Sequence, residues 1–305
     1  MQQPPYLKSG DVITIISSAR KITNAEIAPS IELLESWGLN VKLGENLFEE
    51  HHQFAGTKEQ RIQDLQTALN DNESKAILCA RGGYGTVQLI DSIDFSYFKE
   101  NPKWLIGFSD VTVLHNHINQ NFGIESIHAT MPINFPKEGE NKATLSLKAA
   151  LFGGVMEYNF KVEKESILPS KSIQAPIVGG NLSIIYSIIG TTSQIDTKGK
   201  FLFLEDLDEY LYHIDRMMMN LKRAGLFKGC KGILVGGMSD MNDNAIPYGS
   251  TAKEIILENI KQYDIPIVFG VPAGHIKENL ALIMNRQLTL TSKDDDITIT
   301  FNGRT

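Results

Sequence analysis

Short apolar runs rich in β-branched residues alternate with helix-periodic segments through the first half of this chain. That alternation restricts the fold more than any other feature. Val12-Ile13-Thr14-Ile15-Ile16 reads as a strand. Ile27, Ile31, Leu34 and Trp37 then recur at helical spacing, and Gly38 is the stop. Val41-Lys42-Leu43 is a short second strand, and Thr57-Lys58-Glu59-Gln60 is a capping box opening a helix through Leu65 and Leu69. Ala76-Ile77-Leu78-Cys79 is a continuous apolar strand, expected to be buried on both faces. After it come Gly82-Gly83-Tyr84-Gly85 and an expected amphipathic helix carrying Val87, Leu89 and Ile90. Trp104-Leu105-Ile106 and Val111-Thr112-Val113-Leu114 continue the strand–helix pattern. Such a series predicts an α/β fold with a mostly parallel sheet covered by helices. Ligands bind such sheets outside the carboxyl ends of the strands, so Gly82-Gly83 and Ser109 are expected to share one rim.

Residues 141–175 are rich in Lys, Glu, Ser and Pro with weak periodicity, and read as a linker region between residues 1–140 and 176–305. In the second part, Ile177-Val178-Gly179-Gly180-Asn181-Leu182 reads as a turn before an apolar helix over 184–189. Strands are expected at Phe201–Leu204, Gly232–Val235 and Pro266–Phe269. Between them stand a helix with Ile214, Met217, Met218 and Leu221 and another through Ile255, Ile256 and Ile260. Gln287–Leu290 and Ile297–Thr300 alternate as a hairpin.

With 305 residues and 42% hydrophobic content the chain can bury a large core. Its formal net charge of −7 and the lack of a dense Lys/Arg run argue against a nucleic-acid partner. The two cysteines, Cys79 and Cys230, have neither metal-ligand spacing nor a disulfide framework, which fits a reducing compartment. The N-terminus lacks a basic leader, and the run over 12–16 is too short for a membrane span; a cytoplasmic location without a membrane partner is expected.

Gly107-Phe108-Ser109-Asp110 follows a buried strand and precedes a helix. A serine at such a turn stands on a helix N-terminus with backbone N–H groups beside it, a geometry suited to attack on a carbonyl. Val111 replaces the second glycine of the G-x-S-x-G elbow, and a helix cap also fits Ser109. A serine nucleophile needs a base. His51-His52 beside Glu49-Glu50 reads as a solvated loop, because adjacent residues do not converge on one metal ion. His115 and His117 face different sides of a helix, and His213 lies on the Met-rich helix. His128 follows a strand and can approach the rim. His275, in Gly270-Val271-Pro272-Ala273-Gly274-His275, sits in an irregular loop after a buried strand, where a structural role fits equally. Glu205 closes the strand at 201–204 and opens a carboxylate run that also fits a solvated helix start. Ser109, Glu205, His275 is the chain order of α/β-hydrolase triads. Arg81-Gly82-Gly83-Tyr84-Gly85 lacks the phosphate-loop lysine, and its glycines suit close approach of an N–H to an oxyanion, with Arg81 as a carboxylate partner.

Ala80-Arg81-Gly82-Gly83-Tyr84-Gly85, Leu105-Ile106-Gly107-Phe108-Ser109-Asp110, Gly179-Gly180-Asn181-Leu182, Phe203-Leu204-Glu205-Asp206 and Gly274-His275 occur in that order. Together they resemble the LD-carboxypeptidase (muramoyltetrapeptide carboxypeptidase) family of serine peptidases, which also contains the microcin C immunity proteins. The resemblance spans nearly the whole chain. It implies a flavodoxin-like N-terminal domain, a smaller α/β C-terminal domain and a homodimer. It also implies a metal-independent triad of Ser109, Glu205 and His275, with an oxyanion hole at the backbone of Asp110 and Gly83. Arg81, Gly82 and Tyr84 are then candidate substrate contacts. The implied reaction is release of terminal D-alanine from a cell-wall tetrapeptide in peptidoglycan recycling. Alternatives are hydrolysis of a peptidyl or aminoacyl nucleotide analogue and, in another class, a non-catalytic binding module. His128-Ala129-Thr130-Met131 departs from the His-Gly-Pro of many members, a difference that bears on the local wall of the substrate pocket and not on the triad.

Overall fold

The computed structural model describes residues 1–302. The first half runs β1 (Val12–Ile16), α1 (Asn24–Ser36), β2 (Asn40–Leu43), a small hairpin β3 (Glu50–His51) and β4 (Phe54–Ala55), then α2 (Lys58–Asn70) and β5 (Ser74–Cys79). It continues with α3 (Ser96–Glu100), β6 (Trp104–Gly107), α4 (Thr112–Phe122) and β7 (Ser126–His128). Side chains set the helix starts. Thr23 and Glu26 form a capping box on α1, and Thr57 and Gln60 form one on α2. No α-helix follows Gly85. Thr86–Gln88 and Ile90–Ser92 are 3₁₀ turns instead. The Gly85 carbonyl is closed by Gln88 N–H at 3.0 Å and shared with Arg61, while Thr86 N–H is drawn to the Asp110 carboxylate. Those ties wind the segment tighter than an α-helix.

The second half holds α5 (Lys142–Phe152), β8 (Glu157–Lys161), β9 (Ile173–Asn181), α6 (Leu182–Ser187), β10 (Phe201–Leu207) and α7 (Leu211–Arg223). After them come β11 (Gly232–Ser239), α8 (Ala252–Ile260), β12 (Ile267–Phe269), β13 (Leu282–Met284), β14 (Gln287–Lys293) and β15 (Asp296–Phe301). Residues 141–175 therefore carry a helix and an edge strand. The α5 box uses Asn141 and Thr144 rather than Ser/Thr and Glu/Gln, and its buried residues are Ala143, Thr144, Ser146, Leu147, Ala150 and Leu151. Small residues there flatten the periodic signal. Ile177–Asn181 is not a turn but the inner end of β9, paired to β10 from Ile177↔Phe201 to Asn181↔Glu205.

In the first sheet the order is β2-β1-β5-β6-β7, all parallel, with β13 added antiparallel on β7. Counting the five parallel strands in chain order gives 2-1-3-4-5, the flavodoxin-like order, whose topological switch lies between β1 and β5. The second sheet runs β12-β11-β10-β9-β14-β15-β8, parallel from β9 to β12 and antiparallel beyond. One apolar core spans both sheets, joining Ile13, Leu78, Ile106 and Ile127 to Ile177, Phe201, Phe203 and Leu234. Helix α4 lies against β9. A Cβ on Gly180, at φ +133°, would stand 2.5 Å from Thr112 Oγ1, and Asn181 N–H donates to that same oxygen at 3.1 Å. Only glycine permits this approach. Among the described residues no helix is long and apolar enough to cross a membrane.

Candidate active site

Strand β6 ends at Gly107, where a Cβ would lie 2.8 Å from Val111 Cγ2. The glycine lets the chain fold back on itself, and Ser109 then sits at φ +62°. A serine in the left-handed region costs about 1–2 kcal/mol, so surrounding packing must hold it there. Its hydroxyl makes no capping hydrogen bond; α4 is entered through a 3₁₀ turn over Ser109–Val111. The helix-cap explanation of this serine therefore does not describe what the chain does. His115 Nε2–H donates back to Gly107 O at 2.8 Å, and its Nδ1 accepts from Ser126 at 2.9 Å. Burial pushes the His115 pKa down to about 4, so this ring is a neutral strut for the turn.

The Gly-rich loop after β5 meets this turn. A Cβ on Gly82 would lie 3.2 Å from Ser109 Oγ. Asp110, fully buried, accepts Thr86 N–H at 2.8 Å and so fastens the two loops together. Among the described residues no backbone carbonyl takes the N–H of Gly83 or Asp110. Arg81 is half-buried; its Nη1 lies 3.4 Å from Lys21 O and 3.9 Å from Glu26. Tyr84 is exposed on the same rim, 6.4 Å from the Phe54 ring.

From the other sheet come Glu205 and His275. Glu205 lies within β10, which runs on to Leu207, so the carboxylate run begins inside the strand rather than at a solvated helix start. It is fully buried, and its Oε2 accepts both the His275 backbone N–H at 3.0 Å and the ring Nδ1–H at 2.6 Å. The His275 carbonyl accepts the Ser239 hydroxyl at 2.6 Å. The Nδ1 bond leaves Nε2 as the open ring nitrogen, and the two backbone bonds hold the residue that carries the ring. A bulge in β11 makes room for this loop: β10 pairs Leu204 with Val235 and then Asp206 with Met238, and Gly237 N–H donates to Ala273 O. Burial works against the protonated ring, but the Glu205 hydrogen bond and the charges of Glu205 and Asp206 together raise the His275 pKa above its usual value.

Asp206 enters the sequence reading only as the last residue of the Phe203-Leu204-Glu205-Asp206 motif, with no role of its own, yet it anchors the strand. Its carboxylate accepts Asn181 Nδ2–H, Leu207 N–H, Ser183 N–H and the Ser183 hydroxyl, all at 2.8–2.9 Å. Burial, with the adjacent Glu205 charge, still pushes its pKa up to about 6.

The Phe108 ring lies 4.8 Å from the His275 ring, which brings the serine turn and the histidine loop face to face. A cavity of about 420 Å³ opens beside them, lined from both halves by Phe108, Thr130, Asn134, Leu207, His275 and Lys277 among others. His128 is buried behind it, edge-on to Phe203 at 5.1 Å, and burial lowers its pKa well below the usual value. His51 and His52 are exposed on the β3–β4 hairpin, and His213 pairs with Glu209 at 2.5 Å.

The sequence matches the LD-carboxypeptidase N-terminal domain over residues 13–129 and the LD-carboxypeptidase C-terminal domain over residues 174–290. The chain belongs to the LD-carboxypeptidase family. The probable murein peptide carboxypeptidase of Bacillus subtilis is 34% identical over 303 residues, covering 96% of this chain and 92% of the relative. The murein tetrapeptide carboxypeptidase of Pseudomonas aeruginosa is 26% identical, covering 88% and 89%. Among solved structures, muramoyltetrapeptide carboxypeptidase from Oxalobacter formigenes superposes with a TM-score of 0.86 at 24% identity, covering 96% of this chain and all of that one. The microcin C7 self immunity protein MccF in its wild-type apo state gives 0.84 at 20% identity, covering 98% of each chain. At these identities the structural likenesses speak for the fold. This LD-carboxypeptidase family member is a hydrolase of the carboxypeptidase class, with a flavodoxin-like first half and a second α/β half.

Proposed function

We propose that the chain is a serine carboxypeptidase that releases terminal D-alanine from cell-wall tetrapeptides. Ser109 is the nucleophile, His275 the general base and Glu205 the group that orients the base. One observation carries this reading. A fully buried glutamate fixes the Nδ1 side of His275, and the ring faces a serine turn held at a positive φ. The relatives' names, murein peptide and murein tetrapeptide carboxypeptidase, supply the substrate class.

In this mechanism Ser109 Oγ attacks the carbonyl of the diamino acid while His275 Nε2 takes the hydroxyl proton. The tetrahedral oxyanion is held by the N–H groups of Gly83 and Asp110, each worth about 2.7–4 kcal/mol in comparable sites. Collapse breaks the amide, and the imidazolium returns its proton to the departing D-alanine nitrogen. Water, deprotonated by His275, then cleaves the acyl-serine and restores the hydroxyl. Glu205 stabilises the cation in both steps. Gly82, Arg81 and Tyr84 border the bound peptide. We assign the nucleophile to a unit of residues 1–140 and its two partners to 176–305, and read the protein as a cytoplasmic homodimer. Support for the cytoplasm is the pair of buried, unbridged thiols, Cys79 and Cys230.

The test is mass spectrometry of L-Ala-γ-D-Glu-diamino acid-D-Ala incubated with wild type and with Ser109→Ala. Loss of one D-alanine with wild type alone is the expected result. No loss with folded wild type, together with cleavage of an aminoacyl sulfamoyl nucleotide, moves the substrate to the class that MccF has been solved with.

A further inference from the structure

Four cations surround the Gly-rich loop, and three of them are committed. Lys21 pairs with Glu50 at 2.5 Å. Arg61 is buried and donates to Ser18 O at 3.0 Å, Gly85 O at 3.3 Å and Gln88 Oε1 at 3.0 Å. Arg81 reaches Lys21 O and lies near Glu26. The fourth, Arg20, has no ion pair or side-chain hydrogen bond among the described residues, although its backbone is firmly held. Ser17 donates to Arg20 O at 2.7 Å, Ala55 N–H to Ala19 O at 3.0 Å and Lys21 N–H to Gln53 O at 3.0 Å. Its exposed side chain lies over Gly83: a Cβ there would stand 2.6 Å from Arg20 Cδ and 2.9 Å from Nε.

Position gives this free guanidinium a meaning. Arg20 follows β1 and Gly83 follows β5, the two strands flanking the topological switch where a flavodoxin-like sheet takes its ligand. Ser109 Oγ stands against Gly82, and Arg20 stands against the next residue along. One residue spans up to about 3.6 Å. In an amide about to lose its last amino acid, the scissile carbonyl and the terminal carboxylate are also one residue apart. A peptide whose scissile carbonyl lies over Gly82 therefore brings its C-terminal carboxylate to Arg20. A planar fork of donors suits a carboxylate in two-point contact.

We propose that Arg20 reads the free carboxylate of the departing amino acid, and so restricts the enzyme to the last peptide bond. The proposal rests on the carboxypeptidase reading of Ser109. It makes Arg20 a specificity-determining residue that binds substrate without joining the proton transfers.

The experiment compares kcat/KM on the tetrapeptide ending in D-alanine and on the same peptide ending in D-alaninamide. Wild type, Arg20→Gln, Arg20→Lys and Lys21→Gln are measured side by side. Wild type is expected to prefer the acid. Arg20→Gln should lose between about tenfold and a hundredfold on the acid, and much less on the amide, so that the acid-to-amide ratio collapses. Arg20→Lys should keep part of the ratio, and Lys21→Gln all of it. An unchanged ratio in Arg20→Gln, or equal losses on both peptides, overturns the proposal. If wild type cleaves neither peptide, the substrate reading fails, and Arg20 is judged by ligand-observed NMR. D-Alanine binding that exceeds D-alaninamide binding in wild type but not in Arg20→Gln supports the carboxylate site. Indifference of wild type to the two ligands refutes it.

Discussion

Ser109, Glu205 and His275 are separated by 96 and 70 positions in the chain, and in the proposed triad each is prepared for its role by a different local device. For Ser109 the device is a strained φ of +62° after a glycine that packs on Val111. For His275 it is two backbone hydrogen bonds that hold the residue and one at Nδ1 that leaves Nε2 open. Glu205 supplies the charge, and a test follows from its removal. The wild-type His275 pKa is raised above its usual value, so the base stays protonated to a higher pH than an ordinary imidazole, and kcat/KM should climb as pH rises through the raised pKa. In Glu205→Gln the hydrogen bond to a carboxylate and its charge are gone while burial remains. The acid limb should then move to lower pH, and kcat should fall by about ten-thousandfold, the scale seen when a triad carboxylate becomes an amide. A limb that stays in place would detach Glu205 from the base. The sequence singled out these three as candidates because each stands at the end of, or after, an apolar strand, and the family resemblance gave them their proposed roles. The inward use of the Asp206 and Asp110 carboxylates and the Arg61 guanidinium, on backbone atoms of other segments, was not foreseen, because spacing along the chain carries no trace of it.

At the scale of elements, strands and helices with clear period were readable, and the misreadings share one cause. Gly179-Gly180 looked like a turn because glycine usually breaks strands. In β9 the two glycines exist because β10 and α4 come too close for any side chain: a Cβ on Gly179 would lie 2.1 Å from Phe203 O. The expected helix after Gly85 failed for the same kind of reason, since tertiary hydrogen bonds, from Thr86 N–H to Asp110 and from Arg61 to Gly85 O, took over its first turn. Gly180→Ala tests this view of β9. The new methyl collides with Thr112 and forces alanine to a positive φ, so unfolding free energy measured in urea should drop by about 1–3 kcal/mol. A change below about 0.5 kcal/mol would mean that α4 and β9 are not tightly docked there.

For the molecule as a whole, the two sheets behave as one body in this account. Strand β13, late in the chain, completes the edge of the first sheet on β7, from Leu282↔His128 to Met284↔Ser126. Two residues on, Arg286 donates to Glu125 from Nε at 3.0 Å and Nη2 at 2.5 Å, both side chains being buried, and its Nη1 donates to Tyr6 Oη at 2.9 Å. This exchange of a strand and a buried ion pair was invisible in a chain that reads as two successive α/β halves. Arg286→Met leaves Glu125 buried without its cation and should cost about 3–5 kcal/mol. In wild type, fluorescence of Trp37 and Trp104, both in the first half, should report the same urea transition as far-UV circular dichroism. Two separated transitions, with the fluorescence step unmoved by Arg286→Met, would show halves that fold independently.

The most direct test of the central claim is to locate the nucleophile chemically. Wild type treated with a fluorophosphonate and digested should carry the phosphonyl mass on the peptide containing Ser109, at a rate that falls with protonation of His275, and Ser109→Ala should take up none. Labelling at another residue, or D-alanine release that persists in Ser109→Ala, would contradict the assignment of Ser109 and with it the triad.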